Sequence, residues 1–80
     1  MRSEAEINIF FDSEDETKST MIALKQEEEF KKRSTSKIIR NGNKLTIRID
    51  ASDIVALRAT LNSYLRDVQV IENIEKNEED

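Results

Sequence analysis

The amino-acid sequence predicts an α+β fold of order β-α-β-β-α, with a three-stranded antiparallel sheet in the order 1-3-2 and two helices on one of its faces. Apolar residues alternate with polar ones over residues 4–11 and 44–50, which is the period of half-buried strands. An Asn-Gly pair, a strong hairpin signal, precedes the second of these segments. Helix-capping residues open two longer segments near residues 13 and 52.

The composition limits the chain to one small domain with few chemical options. The chain has 80 residues, 38% of them charged, and it lacks Cys, His, Pro and Trp. A core of this size is marginal, so a partner or a second copy would stabilise it. Without His and Cys, the usual general base, the thiol nucleophile and the commonest metal ligands are missing. We therefore expect no enzymatic activity, no catalytic residue, no metal and no cofactor.

The apolar segments are short throughout. None approaches the ~20 residues that span a bilayer, and no apolar signal segment opens the chain. We expect a cytoplasmic protein with no membrane partner. We also expect residues 1–75 to form the domain and residues 76–80 to form a frayed acidic tail.

The first strand and the first helix follow directly from local patterns. Within residues 4–11, the side chains expected to face the core are Ala5, Ile7, Ile9 and Phe11. Ser13 and Glu16 form a capping box, so the helix is predicted from there to about residues 26–29. Its segment 21–24 is apolar around the whole axis. Either both sides of this helix are covered, or it presents an apolar patch to another protein.

A hairpin is predicted in the middle of the chain. Residues 27–36 are polar and predict a loop, with Phe30 held against the core. Residues 37–40 and 44–50 then form two strands. Because Asn41 and Gly42 both tolerate positive φ, they are expected to make the turn.

The last helix, capped by Ser52, is predicted over residues 53 to about 75. One apolar stripe spans about 120° and is expected to lie on the sheet: Ile54, Leu57, Leu61, Tyr64, Leu65, Val68 and Ile71. A second stripe of mostly small residues lies opposite: Val55, Ala56, Ala59, Ser63, Val70 and Ile74. The second stripe packs either on the first helix of the same chain or on a helix of a partner.

The net charge of −4 conceals a basic middle segment, because residues 31–66 carry nine basic and two acidic side chains. The residues predicted to contact RNA are Lys37, Arg40, Lys44 and Arg48. They either bind RNA phosphates through counterion release or form a solvated edge that keeps the strands from aggregating. Asp50 and Asp53 flank the start of the last helix and are interpreted as caps rather than metal ligands.

The last helix also carries a recognisable motif. After Ala51 and Asp53, the sequence reads Leu-Arg-Ala over 57–59 and Leu-Asn-Ser-Tyr-Leu-Arg over 61–66. This pattern resembles the small dimerising subunit of the KEOPS (EKC) complex, a family that also includes the CTAG/LAGE cancer-testis antigens. The matching motif residues are Asp53, Leu57, Arg58, Asn62, Ser63, Tyr64 and Arg66. The chain departs from the family pattern at Asp67 and has no Pro before the hairpin.

The resemblance implies a non-catalytic assembly subunit. Such a protein forms a homodimer that bridges two catalytic subunits, which attach threonylcarbamoyl to adenosine 37 of tRNA, and it is expected to help hold the tRNA within the complex. The residues expected to contact the catalytic subunit are Met21, Ile22, Leu24, Ala56, Ala59, Ser63 and Val70. Arg58, Asn62 and Arg66 are assigned to packing and orientation at subunit contacts. Phe10 and Ile39, with the strand edges, are expected at the homodimer contact. The alternative function is a stand-alone RNA-binding module that uses the basic middle segment.

Overall fold

The computed structural model describes residues 1–25 and 34–78, with side chains through residue 72. Its elements are strand β1 (Ser3–Phe10), helix α1 (Glu14–Lys25), strand β2 (Ser34–Asn41), strand β3 (Lys44–Ala51) and helix α2 (Ile54–Glu78). The strands form an antiparallel sheet in the order β1-β3-β2. The predicted element order and strand order are confirmed.

The central strand β3 supplies the middle of the core. Its alternate residues Leu45, Ile47 and Ile49 are completely buried. Leu24 of α1 and Tyr64 of α2 belong to the same buried cluster, so both helices pack on this face of the sheet. Burying one such side chain contributes about 1.5–3 kcal/mol, so these few residues supply much of the stabilisation of a small domain.

Helix α1 begins where the capping box predicts. The backbone N–H of Glu16 donates to Ser13 Oγ at 3.2 Å, and the Thr17 hydroxyl donates to the carbonyl of Ser13 at 2.8 Å. The acidic residues of the first turn suit the positive end of the helix dipole. The structure describes α1 to Lys25, so its predicted end at residues 26–29 and the predicted contact of Phe30 lie outside the described residues.

The hairpin differs from its prediction in two ways. Strand β2 already begins at Ser34, so the loop predicted over 27–36 is wrong for its last three residues, which pair with β3 although they are polar. Asn41 pairs with Lys44, which leaves Gly42 and Asn43 as the two turn residues. Only Gly42 has a positive φ, at 63°. This is the pattern of a type II′ turn, one residue later than the predicted Asn-Gly turn.

The N-cap of α2 is Asp53 rather than Ser52. Asp53 Oδ1 accepts the backbone N–H of Ala56 at 2.7 Å, and the helix begins at Ile54. The Asp53 carboxylate caps the helix in place of the Ser52 hydroxyl because it directly precedes the first helical residue and carries a full negative charge at the positive end of the helix dipole. The helix continues to Glu78, which is past the predicted end near residue 75.

Helix α2 is also rotated relative to its prediction. Ile54 and Leu65, predicted to lie on the sheet, are 49% and 47% exposed, whereas Ala56 and Thr60 are buried. At 100° per residue, the buried arc is turned by about 60° from the predicted stripe. A polar contact favours this rotation, because Thr60 Oγ1 lies 2.6 Å from Ser34 Oγ and so holds that side of the helix next to β2.

Candidate interaction surfaces

The outer side of the helical layer presents a group of apolar and small side chains, which we call the helical surface. On α2 it comprises Val55, Ala59, Ser63 and Val70, which fall within about 80° around the axis. Val55 is 65% exposed, Val70 is 50% exposed, Ala59 is exposed and Ser63 is half-buried. On α1 it continues with the exposed Ile22. Small residues among apolar ones allow another helix to approach closely.

Three residues predicted at the partner contact are buried or half-buried within the chain. Leu24 and Ala56 are buried, which does not fit a contact with another protein. Leu24 turns into the core cluster, and Ala56 lies in the first turn of α2 on its sheet-facing side. Met21 is half-buried and packs against the same cluster. The second stripe is therefore divided: one part packs inside the chain and the other part stays exposed.

The motif residues separate into a structural set and an exposed set. Asp53 caps α2, Leu57 packs against the core, and Tyr64 is completely buried. Arg58, Asn62 and Arg66 are the exposed set, and Ser63 is half-buried beside them.

The exposed motif residues form one strip, because residues four apart lie on the same flank of a helix. No side-chain hydrogen bond or ion pair joins Arg58, Asn62 or Arg66 to another described residue. Their polar groups are therefore available to solvent or to another molecule.

The face of the sheet opposite the helices, which we call the outer sheet face, is crossed by polar contacts between β1 and β3. Arg48 Nε donates to Glu6 Oε1 at 2.8 Å, and Thr46 Oγ1 donates to Asn8 Oδ1 at 2.7 Å. These residues lie directly opposite each other in the strand register. Cross-strand pairs of this kind each stabilise a sheet by about 0.2–1 kcal/mol.

Two ion pairs shift pKa values on this face of the sheet. The hydrogen bond from Arg48, followed by the one from Asn8, lowers the pKa of Glu6 below its ordinary value. At the end of the sheet, Arg2 donates to Asp50 Oδ1 at 2.9 and 3.1 Å, and this hydrogen bond raises the pKa of the Arg2 guanidinium. Both pairs are solvent-exposed, so their contribution to stability is small.

The two residues predicted at the homodimer contact lie on the outer sheet face but on different strands. Phe10 ends β1 and is 76% exposed, whereas Ile39 lies on β2 and is 37% exposed. The central strand β3 separates them. The structure therefore does not bring Phe10 and Ile39 together in one chain.

The predicted RNA-contacting residues are only partly brought together. Lys37 and Arg48 are direct neighbours across β2 and β3, and Lys44 lies on the same outer sheet face. Arg48 is already paired with Glu6. Arg40 alternates with Ile39 onto the other side of β2, where it donates to the carbonyl of Gly42 at 3.3 Å. Three of the four cations therefore share one face.

Sequence reasoning missed the buried hydroxyl residues. Thr17, Thr20 and Thr60 are all buried. The available signal was the helical spacing of Thr17, Thr20 and Leu24, which places them on one face of α1. The threonines counted as polar in the hydrophobic pattern and so were left out of the predicted core.

The described part of the chain offers a groove but neither a metal-binding cluster nor a membrane-spanning helix. An open groove of about 500 Å³ beside β1 is lined by Glu4, Ala5, Glu6, Arg48, Ile49 and Asp50. Over residues 1–25 and 34–72, whose side chains are described, no group of three or more acidic side chains is placed to hold a metal ion. Neither described helix is both long enough and apolar enough to cross a membrane.

Comparison with known proteins agrees with the motif. A family model described as "Transcription factor Pcc1" matches residues 4–75, which is nearly the whole chain. The matched range reaches into all five described elements and includes the motif residues from Asp53 to Arg66. None of the curated proteins compared with the chain matches it.

Proposed function

The chain belongs to the Pcc1 family, and from this membership we propose that it is a non-catalytic assembly subunit that dimerises and bridges two catalytic subunits. The family points to the KEOPS (EKC) complex and to tRNA modification. The proposed reaction of the complex is the formation of threonylcarbamoyladenosine at position 37 of tRNA. The proposed location is the cytoplasm, and the proposed branch of the family is the one that includes the CTAG/LAGE antigens.

The helical surface is the observation that carries this proposal. Val55 and Val70 are half or more exposed on a helix whose opposite side already fills the core. Ala59 lies between them around the axis and allows a close approach of helices. Ile22 adds an exposed apolar residue on α1. A helix pair of the catalytic subunit is the proposed occupant, with Ala59 at the centre of the contact.

The exposed motif strip borders the helical surface. Arg58, Asn62 and Arg66 run along the same helix, about 20–100° around the axis from Ala59. At the edge of an apolar contact, such residues orient the partner through hydrogen bonds and charge and contribute less to affinity than the buried centre. We assign them this orienting role.

A charge placed at the centre of the helical surface tests the proposal. Ala59→Arg should abolish co-elution with the catalytic subunit while the circular dichroism of the chain stays unchanged, because position 59 is exposed in the monomer. Thr35→Arg is the matched control, since Thr35 is exposed on the outer sheet face, on the side of the sheet opposite the helices. Undiminished binding by Ala59→Arg would exclude the helical surface as the contact.

A stand-alone RNA-binding module is the second candidate, and it is favoured by the cations that share the outer sheet face. This function requires tRNA affinity of the isolated chain that falls steeply with salt. Lys44→Glu should then weaken binding most at low salt and make the affinity depend less steeply on salt. The assembly subunit should instead bind tRNA weakly alone and more tightly within the complex.

A further inference from the structure

The three carboxylates of the outer sheet face are all neutralised by arginines. Arg2 pairs with Glu4 and Asp50, at 3.2 and 2.9 Å, and Arg48 pairs with Glu6 at 2.8 Å. These pairs lie toward the end of the sheet where β1 begins. The carboxylates of this face are therefore not available to balance its other cations.

Two lysines of the same face are left without an ion pair among the described side chains. Lys37 is exposed on β2, and Lys44 begins β3 next to the hairpin turn. Lys37 lies opposite Arg48, four residues along β3 from Lys44, so the two lysines stand about 13–14 Å apart along the strands. The face therefore carries a local positive charge, although the net charge of the chain is −4. Such a surface attracts an anionic ligand.

An exposed aromatic ring lies directly beside one of these lysines. Phe10 is 76% exposed and lies opposite Lys44 in the strand register. The next residue, Phe11, donates its N–H to the carbonyl of Asn43 at 2.8 Å, so residues 10 and 44 form a non-hydrogen-bonded pair. Side chains are closest in such pairs, whose Cα atoms are about 4.5 Å apart. The aromatic ring and the ammonium group are therefore within reach of the same ligand.

The lysines, the ring and the neutral residues between them form one surface, which we call the basic patch: Asn8, Phe10, Lys37, Ile39, Lys44 and Thr46. We propose that the basic patch binds a single-stranded segment of RNA, with one base stacked on Phe10 and backbone phosphates on Lys44 and Lys37. This inference rests on the proposed RNA-modifying complex for the identity of the ligand. A single strand offers the two groups that the patch complements, which are aromatic base faces and phosphates. Asn8 and Thr46 are already hydrogen-bonded to each other at 2.7 Å, so we expect little selection among bases.

An RNA duplex and an acidic peptide each complement only part of the basic patch. In an A-form duplex the bases are stacked on one another and the major groove is deep and narrow, so no base face reaches Phe10. An acidic peptide would pair with Lys37 and Lys44 but would leave the exposed ring of Phe10 without a stacking partner. The aromatic residue therefore favours single-stranded RNA over other anions.

This site uses two of the four cations predicted to contact RNA. Arg48 is held by Glu6, and Arg40 lies on the other side of β2, where it donates to the carbonyl of Gly42. The basic patch and the helical surface lie on opposite sides of the sheet. A catalytic subunit on the helices and RNA on the strands would therefore not compete for the same surface.

Phe10→Trp tests the stacking directly, because the chain has no tryptophan of its own. A base stacked on the indole ring quenches its fluorescence, and position 10 is exposed, so the substitution should leave the fold unchanged. An oligouridine of about eight nucleotides, added at low salt, should quench the emission of this variant. A duplex of oligoadenylate with oligouridine and an oligoglutamate of matched charge should leave the emission unchanged. Equal quenching by either of these would overturn the assignment to single-stranded RNA.

Phe10→Leu separates stacking from simple apolar contact, because leucine keeps an apolar side chain but has no aromatic face. It should lower the affinity of the chain for a fluorescently labelled oligouridine, measured by anisotropy, by about fivefold or more. An unchanged affinity would show that no base stacks on position 10 and would overturn the proposal.

Lysine variants test the phosphate contacts. Lys44→Gln should make the plot of log affinity against log salt concentration less steep by about 0.7, the change for one phosphate of a single strand. Lys18→Gln is the matched control, because Lys18 is exposed on α1, on the helix side of the sheet. An equal change in both variants would indicate attraction of RNA to the whole chain and would overturn the basic patch as the site.

The same measurements separate this inference from the function on which it rests. If oligouridine does not quench Phe10→Trp, either alone or in its co-eluted complex with the catalytic subunit, the RNA site is overturned and the assembly function stands. Quenching without co-elution would overturn the assembly function and leave the RNA site. Emission that changes with the concentration of Phe10→Trp in the absence of RNA would place residue 10 at a contact between copies and would overturn the RNA site.

Discussion

Ser34 Oγ and Thr60 Oγ1 lie 2.6 Å apart, and their hydrogen bond joins the first residue of β2 to the middle of α2. Thr60 is buried and Ser34 is half-buried. A buried hydroxyl is stabilised by a hydrogen-bond partner, so this pair favours the orientation of α2 in which Thr60 faces β2. The helical surface stays exposed because α2 is turned in this way.

Breaking this pair should destabilise the fold. Thr60→Val keeps the shape of the side chain but leaves the Ser34 hydroxyl without its partner, so the free energy of unfolding should fall by about 1–2 kcal/mol. Urea denaturation followed by circular dichroism at fixed protein concentration measures the change. Adding Ser34→Ala to Thr60→Val should cost less than Ser34→Ala alone. Fully additive effects would show that the two hydroxyls act independently.

The cap of α2 provides a second prediction. Asp53→Ala removes the carboxylate that accepts the N–H of Ala56, and it should lower the free energy of unfolding by about 1 kcal/mol. Ser52→Ala is the control. Ser52 is exposed, and among the described residues its hydroxyl donates a hydrogen bond only to Asp53 Oδ2, at 3.4 Å, so its removal should change stability by no more than about 0.5 kcal/mol. The same denaturation experiment compares them, and a larger loss for Ser52→Ala would make Ser52 the cap.

The hairpin turn provides a third prediction. Gly42 has a φ of 63°, and a Cβ added there would meet nothing within 4 Å. The cost of Gly42→Ala is therefore a backbone cost, about 1–2 kcal/mol. Asn43→Ala should be nearly neutral, because among the described residues only glycine has a positive φ. Thermal and urea unfolding of the two variants would separate them, and equal losses would contradict the assignment of strain to Gly42 alone.

Much of the fold could be predicted because its signals are local. In β3 the apolar residues Leu45, Ile47 and Ile49 alternate with polar ones without interruption. The Asn-Gly pair predicts a hairpin, even though the turn itself falls one residue later. The cap of α1 at Ser13 also depends only on residues three or four positions away. Short-range patterns of this kind are visible in a single sequence.

The rotation of α2 could not be predicted in the same way. It depends on Thr60 and Ser34, which are 26 residues apart in the chain and are both counted as polar. For the same reason the sequence did not separate the exposed Ala59 from the buried Ala56, although both lie in one stripe of small residues. The sequence therefore predicted which kinds of residue form the helical surface, but not which of them stay exposed. The packing of α1 and β2 against α2 decides which residues of the stripe are covered.

The ion pair between Glu6 and Arg48 makes a small part of the stability depend on pH. The hydrogen bond from Arg48 lowers the pKa of Glu6 below its ordinary value of 4.5 in the folded chain, so the unfolded chain binds the proton more readily. The contribution is therefore fully present above the pKa of Glu6 in the unfolded chain and is lost as the pH falls through its pKa in the folded chain.

Arg48→Met should return the NMR titration midpoint of Glu6 toward its ordinary value. It should also reduce the dependence of the free energy of unfolding on pH in the acid range. In the unmodified chain, added salt should weaken the effect. An unchanged Glu6 midpoint in Arg48→Met would show that Asn8, not Arg48, supplies the dominant hydrogen bond.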